Sequence, residues 1–120
     1  MRRAPSPVLY EMTAHLLLAE TPFSRNRNKD AFDDPRFRAA LSLYRRLRSL
    51  VRDLERARAT GAELVVVEET RAGTPAVKLQ FQFVDASRGR RTAWLEKPAY
   101  DVLLRHPTAH KAITALRPAA

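Results

Sequence analysis

Three observations in the sequence predict an α+β fold of the order ααβββαα. Apolar residues recur at helical spacing over residues 36–58 and alternate strictly over residues 76–83. The links between the three strand-like segments are short, and parallel strands would need long crossovers. We therefore expect a three-stranded antiparallel meander covered by a long amphipathic helix, with N-terminal and C-terminal helices, in a single domain of 120 residues.

The first predicted helix covers residues 7–19 and follows a frayed start at residues 1–6. Ser6 and Pro7 combine an N-cap with a proline at the first helical position. The segment is apolar along Leu9, Met12, Leu16 and Leu17. Because a lone surface helix is rarely so apolar all round, we expect this helix to form a dimer interface or to dock into a partner.

Residues 21–34 are predicted to form a flexible basic loop. They are polar and contain Arg25, Arg27 and Lys29. At their end, Asp33 and Asp34 precede Pro35, and an aspartate in this position caps the free amides of a helix and complements its positive end. We interpret the two acids as a helix cap in preference to a metal or catalytic pair.

The long helix over residues 36–58 is predicted to be two-sided. One side carries the apolar stripe Phe37, Ala40, Leu41, Tyr44, Leu47, Val51 and Leu54, which Leu43 and Leu50 widen. Steps of 100° per residue place Arg38, Arg45, Arg52 and Arg56 on the other side, with Arg48 at the border of the stripe. Gly61 is expected to end the helix in a left-handed conformation.

Three strands are predicted next, over residues 62–69, 76–83 and 91–96, with turns at 71–75 and 85–90. In the second strand we expect Val77, Leu79, Phe81 and Phe83 to face the core and Lys78, Gln80 and Gln82 to face solvent. If the third strand turns Ala93 and Leu95 inward, Trp94 lies on the outer face. A partly exposed Trp94 beside Lys78 would be a plausible contact residue for a partner.

Two helices are predicted to complete the chain, over residues 98–105 and 107–116, before a frayed end at 117–120. Pro98 and Pro107 each suit the first position of a helix. The apolar residues of these helices are Tyr100, Val102, Leu103, Leu104, Ala109, Ala112, Ile113 and Leu116.

The charge distribution is the main indication of function. Lys and Arg number 22 against 13 Asp and Glu, a formal net charge of +9. Residues 36–58 hold eight arginines and two acids, so this segment alone carries +6. A genome rich in G and C would explain arginine in place of lysine, but it does not explain the excess of base over acid. The balance favours a polyanionic partner.

Other classes of protein are disfavoured by what the sequence lacks. The absence of cysteine excludes disulfides, thiolate metal sites and thiol catalysis. No stretch approaches 18 apolar residues, so we expect no membrane span and a cytoplasmic location.

No catalytic or metal-binding motif stands out. Glu68 and Glu69 are adjacent in a strand, so their side chains should point to opposite faces. His106 and His110 have the spacing of a helical metal pair, but Pro107 disfavours helical geometry at His106. The strand-associated acids Glu63, Glu68, Glu69, Asp85 and Glu96 match no magnesium motif. We therefore expect no enzyme activity, no metal and no cofactor.

The basic residues form the leading candidate site, with three parts: the helix side, the loop and the second turn. The predicted nucleic-acid-binding residues are Arg38, Arg45, Arg48, Arg52, Arg56, Arg25, Arg27, Lys29, Arg88, Arg90 and Arg91. Arginine suits phosphate because its planar fork donates two hydrogen bonds at once. The competing interpretation is a solvated face with intrahelical pairs, Arg52 with Glu55 and Asp53 with Arg56.

The order helix, strand, strand, strand, helix over residues 35–105 resembles that of double-stranded-RNA-binding domains and of small nucleoid-associated proteins. The resemblance is one of element order. Double-stranded-RNA-binding domains place a lysine cluster at the start of their last helix, where this chain has Lys97, Pro98 and Ala99. The expected function is a small basic protein that binds the phosphate backbone of DNA or RNA, with a homodimer as a further expectation. The alternative is an interaction or adaptor module that docks an acidic protein.

Overall fold

The computed structural model describes residues 7–19, 34–83 and 89–116. Within these ranges the order is the predicted one, and the α+β fold is confirmed. The elements are α1 (Pro7–Leu18), α2 (Pro35–Thr60), β1 (Glu63–Arg71), β2 (Thr74–Gln82), β3 (Arg90–Glu96), α3 (Lys97–Arg105) and α4 (Pro107–Leu116). The predicted frayed ends, the loop at 21–34 apart from Asp34, and most of the turn at 85–90 lie outside the described residues.

The sheet is an antiparallel meander in the order β1-β2-β3, as predicted. Val77, Leu79 and Phe81 of β2 are buried on its inner face, and their partners in the flanking strands include Leu64 and Leu95. Phe83 lies just beyond β2, half-buried, with its ring stacked on that of Phe81 at 5.7 Å. The predicted alternation of β2 is therefore confirmed.

The turn between β1 and β2 is tighter than the predicted turn at 71–75. Arg71 and Thr74 are paired as the last residues of the two strands, which leaves only Ala72 and Gly73 between them. Both have positive φ, 50° at Ala72 and 78° at Gly73, as a two-residue hairpin turn of matching twist requires. The prediction was too long because alanine seldom adopts this conformation.

Helix α2 supplies the largest share of the core. Its predicted stripe is buried, together with Leu50 and Ala57, while Leu43 is half-buried. Asp34 caps the helix as predicted: its Oδ1 accepts a hydrogen bond from the Arg36 amide at 2.8 Å. The Arg36 side chain also bonds Asp34, and these hydrogen bonds hold the pKa of Asp34 below its ordinary range. Gly61 ends the helix with φ 74°, the expected left-handed cap.

The remaining helices pack on α2. α1 contacts α2 and α3, and α4 contacts α2, α3 and the start of the sheet at β1. α1 buries Thr13, Ala14 and Leu17, but Val8 and Leu18 remain 44% and 37% exposed. Much of the apolar surface of α1 is thus covered by its own chain.

Candidate functional site

Four arginines form an exposed row on the side of α2 that faces away from the core. This arginine ridge consists of Arg38, Arg45, Arg52 and Arg56, all exposed as predicted. Within residues 7–19, 34–83 and 89–116, no guanidinium group of the four forms an ion pair or a hydrogen bond, although the backbone oxygen of Arg56 accepts from the Thr60 hydroxyl at 2.9 Å. Three of them repeat every seven residues, which at 1.5 Å per residue spaces them by about 10.5 Å along the helix.

The acids of α2 do not neutralise this ridge. Asp53 forms its ion pair with Arg91 of β3 and not with Arg56. Burial lowers the pKa of His106, and the charge of Glu55 opposes this lowering. The two intrahelical pairs that would have made the ridge a self-compensated face are therefore not formed among the described residues.

Arg91 and Arg90 do not act together as the predicted basic turn. Both belong to β3, where consecutive side chains point to opposite faces. Arg91 pairs in register with the buried Phe81, so it lies on the inner face, where Asp53 engages its guanidinium. Arg90 is opposite Gln82 on the outer face, away from the arginine ridge. Arg88, Arg25, Arg27 and Lys29 lie outside the described residues.

Arg46 connects the ridge to the sheet, and it is not among the binding residues predicted from the sequence. Its Nη2 donates a hydrogen bond to the backbone oxygen of Trp94 at 3.0 Å. A shallow depression of about 500 Å³ joins Arg46 to Arg38 and Arg45 beside Ser42. A second, of about 540 Å³, joins it to Arg45 and Arg91 between α2 and β3. The sequence contains one indication of this role. Arg46 directly follows Arg45, so its side chain lies 100° further around the helix than the ridge, towards β3.

A third depression, a cleft of about 630 Å³, also reaches Arg46. It is bordered by Arg71 and Trp94 and by apolar residues of α1 and α2. The guanidinium carbon of Arg71 lies 4.0 Å from the centroid of the Trp94 ring, and Lys78 Nζ lies 5.4 Å from it. Trp94 is half-buried and pairs with Lys78 on the outer face, so its predicted placement is confirmed. Arg71 was also missed, because it was predicted to lie in a turn.

Arg48 has a local role that its border position explains. It is exposed, and its Nη1 donates to the hydroxyl of Tyr44, one turn earlier, at 3.4 Å. This contact directs Arg48 along the edge of the apolar stripe rather than towards the arginine ridge.

Two of the residues considered for catalysis or metal binding, Glu68 and His106, form hydrogen bonds within the fold. Glu68 accepts from Lys97 at 3.1 Å, and Lys97 also pairs with Asp101 at 3.3 Å. His106 has extended backbone geometry between α3 and α4, as Pro107 predicted, and its Nδ1 accepts from the Thr108 amide at 3.2 Å. Burial lowers the pKa of His106 against the opposing influence of Glu55. Among the described residues, no three His, Cys, Asp or Glu side chains are grouped so that they could hold a metal ion.

In the described part of the chain, no helix has both the length and the apolar character needed to cross a membrane. Comparisons with protein-family models, with curated proteins and with solved structures find no match to this chain.

Proposed function

We propose that this protein binds nucleic acid through contacts of the arginine ridge and Arg46 with the phosphate backbone. The observation that carries the proposal is the set of four exposed arginines on α2 without a partner in the described part of the chain. Arginine donates from a planar fork that matches two phosphate oxygens, and it keeps its charge at every physiological pH. A row of such groups is therefore suited to a repeating polyanion.

The arrangement favours binding with little base specificity. Ser42 and Ser49 line the same depressions as the arginines and add hydroxyl donors that phosphate oxygens can accept. Phosphate contacts position a protein on nucleic acid and carry no sequence information. The proposed role is backbone binding on DNA or RNA.

Electrophoretic or fluorescence titration with a generic duplex at about 50 and 300 mM salt tests the proposal. If about six cations contact phosphate, the log–log slope should be roughly −5, and the affinity should fall about ten-thousand-fold over this range. The double variant Arg45→Glu/Arg52→Glu should weaken binding at low salt by roughly tenfold or more. A matched variant, Arg105→Glu/Lys111→Glu, changes the net charge equally on α3 and α4.

The control variant should bind nearly as well as the native chain. An equal loss of affinity in both double variants would mean that binding depends only on net charge and that the arginine ridge is not the binding site. No binding at low salt would refute nucleic-acid binding altogether. The same ridge could dock an acidic protein as an adaptor, and salt-sensitive retention of an acidic polypeptide without nucleic-acid binding would favour that function.

A further inference from the structure

Strand β1 is an edge of the sheet. The backbone groups that point away from β2 have no hydrogen-bond partner in the described part of the chain. The strand order β1-β2-β3 leaves one free side on β1 and one on β3. On β3, Arg46 donates to the carbonyl of Trp94. No described group hydrogen-bonds the backbone amides and carbonyls on the free edge of β1, although the Glu68 side chain accepts from Lys97. Such a row of free amides and carbonyls is a template for another strand.

The side chains of β1 are also unusual for an edge strand. Val65, Val66 and Val67 are consecutive, yet Leu64 is the only residue of β1 that is buried. Val65 is 45% exposed, and the other two valines are half-buried. Free edges are commonly protected by charged side chains, proline or a bulge. The charges of β1 lie at its ends, at Glu63, Glu68, Glu69 and Arg71, so residues 64–67 are uncharged; β1 contains no proline and pairs with β2 without interruption.

We propose that β1 pairs antiparallel with β1 of a second copy of this chain, with Val67 at the two-fold axis. In this register Glu63 lies opposite Arg71 of the partner subunit, and the reciprocal pair forms at the other end. Glu68 and Glu69 lie opposite Val66 and Val65 of the partner subunit, so no like charges face each other. Opposite charges across strands are favourable and like charges are not.

The charges select this register over its neighbours. If the two-fold axis passed through Val66 instead, Glu63 would lie opposite Glu69 of the partner subunit. If it passed through Glu68, Glu68 would lie opposite Glu68 of the partner subunit. Because shifts of two residues keep the same side chains on each face, charge is what distinguishes these registers.

The resulting sheet would have six strands and a continuous outer face. Val67, Lys78 and Trp94 are paired in one row across the three strands. At the two-fold axis this row meets its copy through the two Val67 side chains. Both α2 helices would lie on the same side of the sheet, so the dimer would present two arginine ridges. The pairing itself does not depend on nucleic-acid binding.

Cysteine cross-linking tests both the interface and its register, because the native chain has no cysteine. In Val67→Cys the two cysteines face each other with Cα atoms about 4.5–5.5 Å apart, within reach of a disulfide. In the control Val65→Cys, on the same face, the two cysteines are offset by four residues, about 13 Å. Mild oxidation should therefore cross-link the first variant and not the second. A mixture of Val65→Cys with Glu69→Cys should cross-link, whereas neither should do so alone.

Charge reversal gives an independent test by light scattering without nucleic acid. Glu63→Arg and Arg71→Glu each place two like-charged pairs in the interface, so each alone should dissociate at a higher concentration than the native dimer. An equimolar mixture restores two opposite pairs and should recover the dimer mass. Circular dichroism checks that each variant is folded.

Two results together would overturn the proposal: the native chain stays monomeric at about 100 μM, and Val67→Cys does not cross-link. The edge would then be too weak to associate. Equal cross-linking at positions 65 and 67 would overturn the register. Native dimer formation with failure of the charge-reversed mixture would locate the interface elsewhere.

Discussion

Arg46 on α2 donates a hydrogen bond to the backbone oxygen of Trp94 on β3, with 3.0 Å between Nη2 and the oxygen. This contact fastens the helix to the edge of the sheet. A guanidinium has five N–H donors, so one bond to a carbonyl leaves others free for a second acceptor. Arg46 can therefore hold the fold and contact phosphate at the same time.

Replacing Arg46 should lower both stability and affinity. Arg46→Leu removes the bond to Trp94, and we expect the free energy of unfolding to fall by about 1 kcal/mol. Nucleic-acid affinity should fall as well, because a cation shared by all three depressions is lost. Urea unfolding and titration measure the two effects. Arg46→Lys keeps the charge without the planar fork, so it should recover part of the affinity; full recovery of both properties would show that the fork is unimportant.

Freeing Arg91 should strengthen nucleic-acid binding. Asp53→Asn removes the carboxylate that engages Arg91, which borders the depression containing Arg45 and Arg46. We expect tighter binding at low salt and a salt slope steeper by about 1, at a cost in stability of about 1 kcal/mol.

The control for this change is Asp101→Asn, which adds the same unit of charge beside Lys97 on α3. It should change affinity much less than Asp53→Asn. If both variants raised the affinity equally, the gain would be due to net charge, and Arg91 would not belong to the binding surface.

Acid should weaken the junction between α3 and α4 through His106. Burial lowers the pKa of folded His106 below its ordinary 6.5, and the neutral Nδ1 accepts from the Thr108 amide. As pH falls below about 6.5, the unfolded chain takes up a proton more readily than the folded chain, so the free energy of unfolding decreases. The loss should continue down to the folded pKa. Chemical unfolding at a series of pH values from about 7.5 to 5 measures it.

His106→Asn is the matched variant, since asparagine is a good helix cap and does not titrate. Its stability should decline less over the same pH range. If native and variant decline in parallel, other groups control the acid sensitivity.

Substitution of Gly61 should destabilise the end of α2 through backbone strain alone. Gly61 has φ 74°, and an added Cβ would meet no atom within 4 Å. Gly61→Ala should therefore cost about 1 kcal/mol of stability because of its left-handed conformation. Gly61→Asn should cost less, because asparagine tolerates this conformation better. Thermal and urea unfolding compare the two, and an equal cost would indicate crowding instead of strain.

The sequence alone determined the order of the elements, the two sides of α2 and the burial pattern of β2. It also located the caps at Asp34 and Gly61. These features depend on periodicity and on contacts within one helical turn, so neighbouring residues contain the information. The exposed side of α2 followed from the same spacing.

Only the tertiary structure decided which charges meet. The competing interpretation of α2 paired Asp53 with Arg56, but Asp53 pairs with Arg91, 38 positions away. Arg46 reaches Trp94 across 48 positions, and Arg71 covers the Trp94 ring because β1 and β3 flank β2. These partners depend on strand register and on the placement of α2 over the sheet, which long-range packing sets. Local sequence patterns therefore identify the cations, while the fold decides which of them remain free.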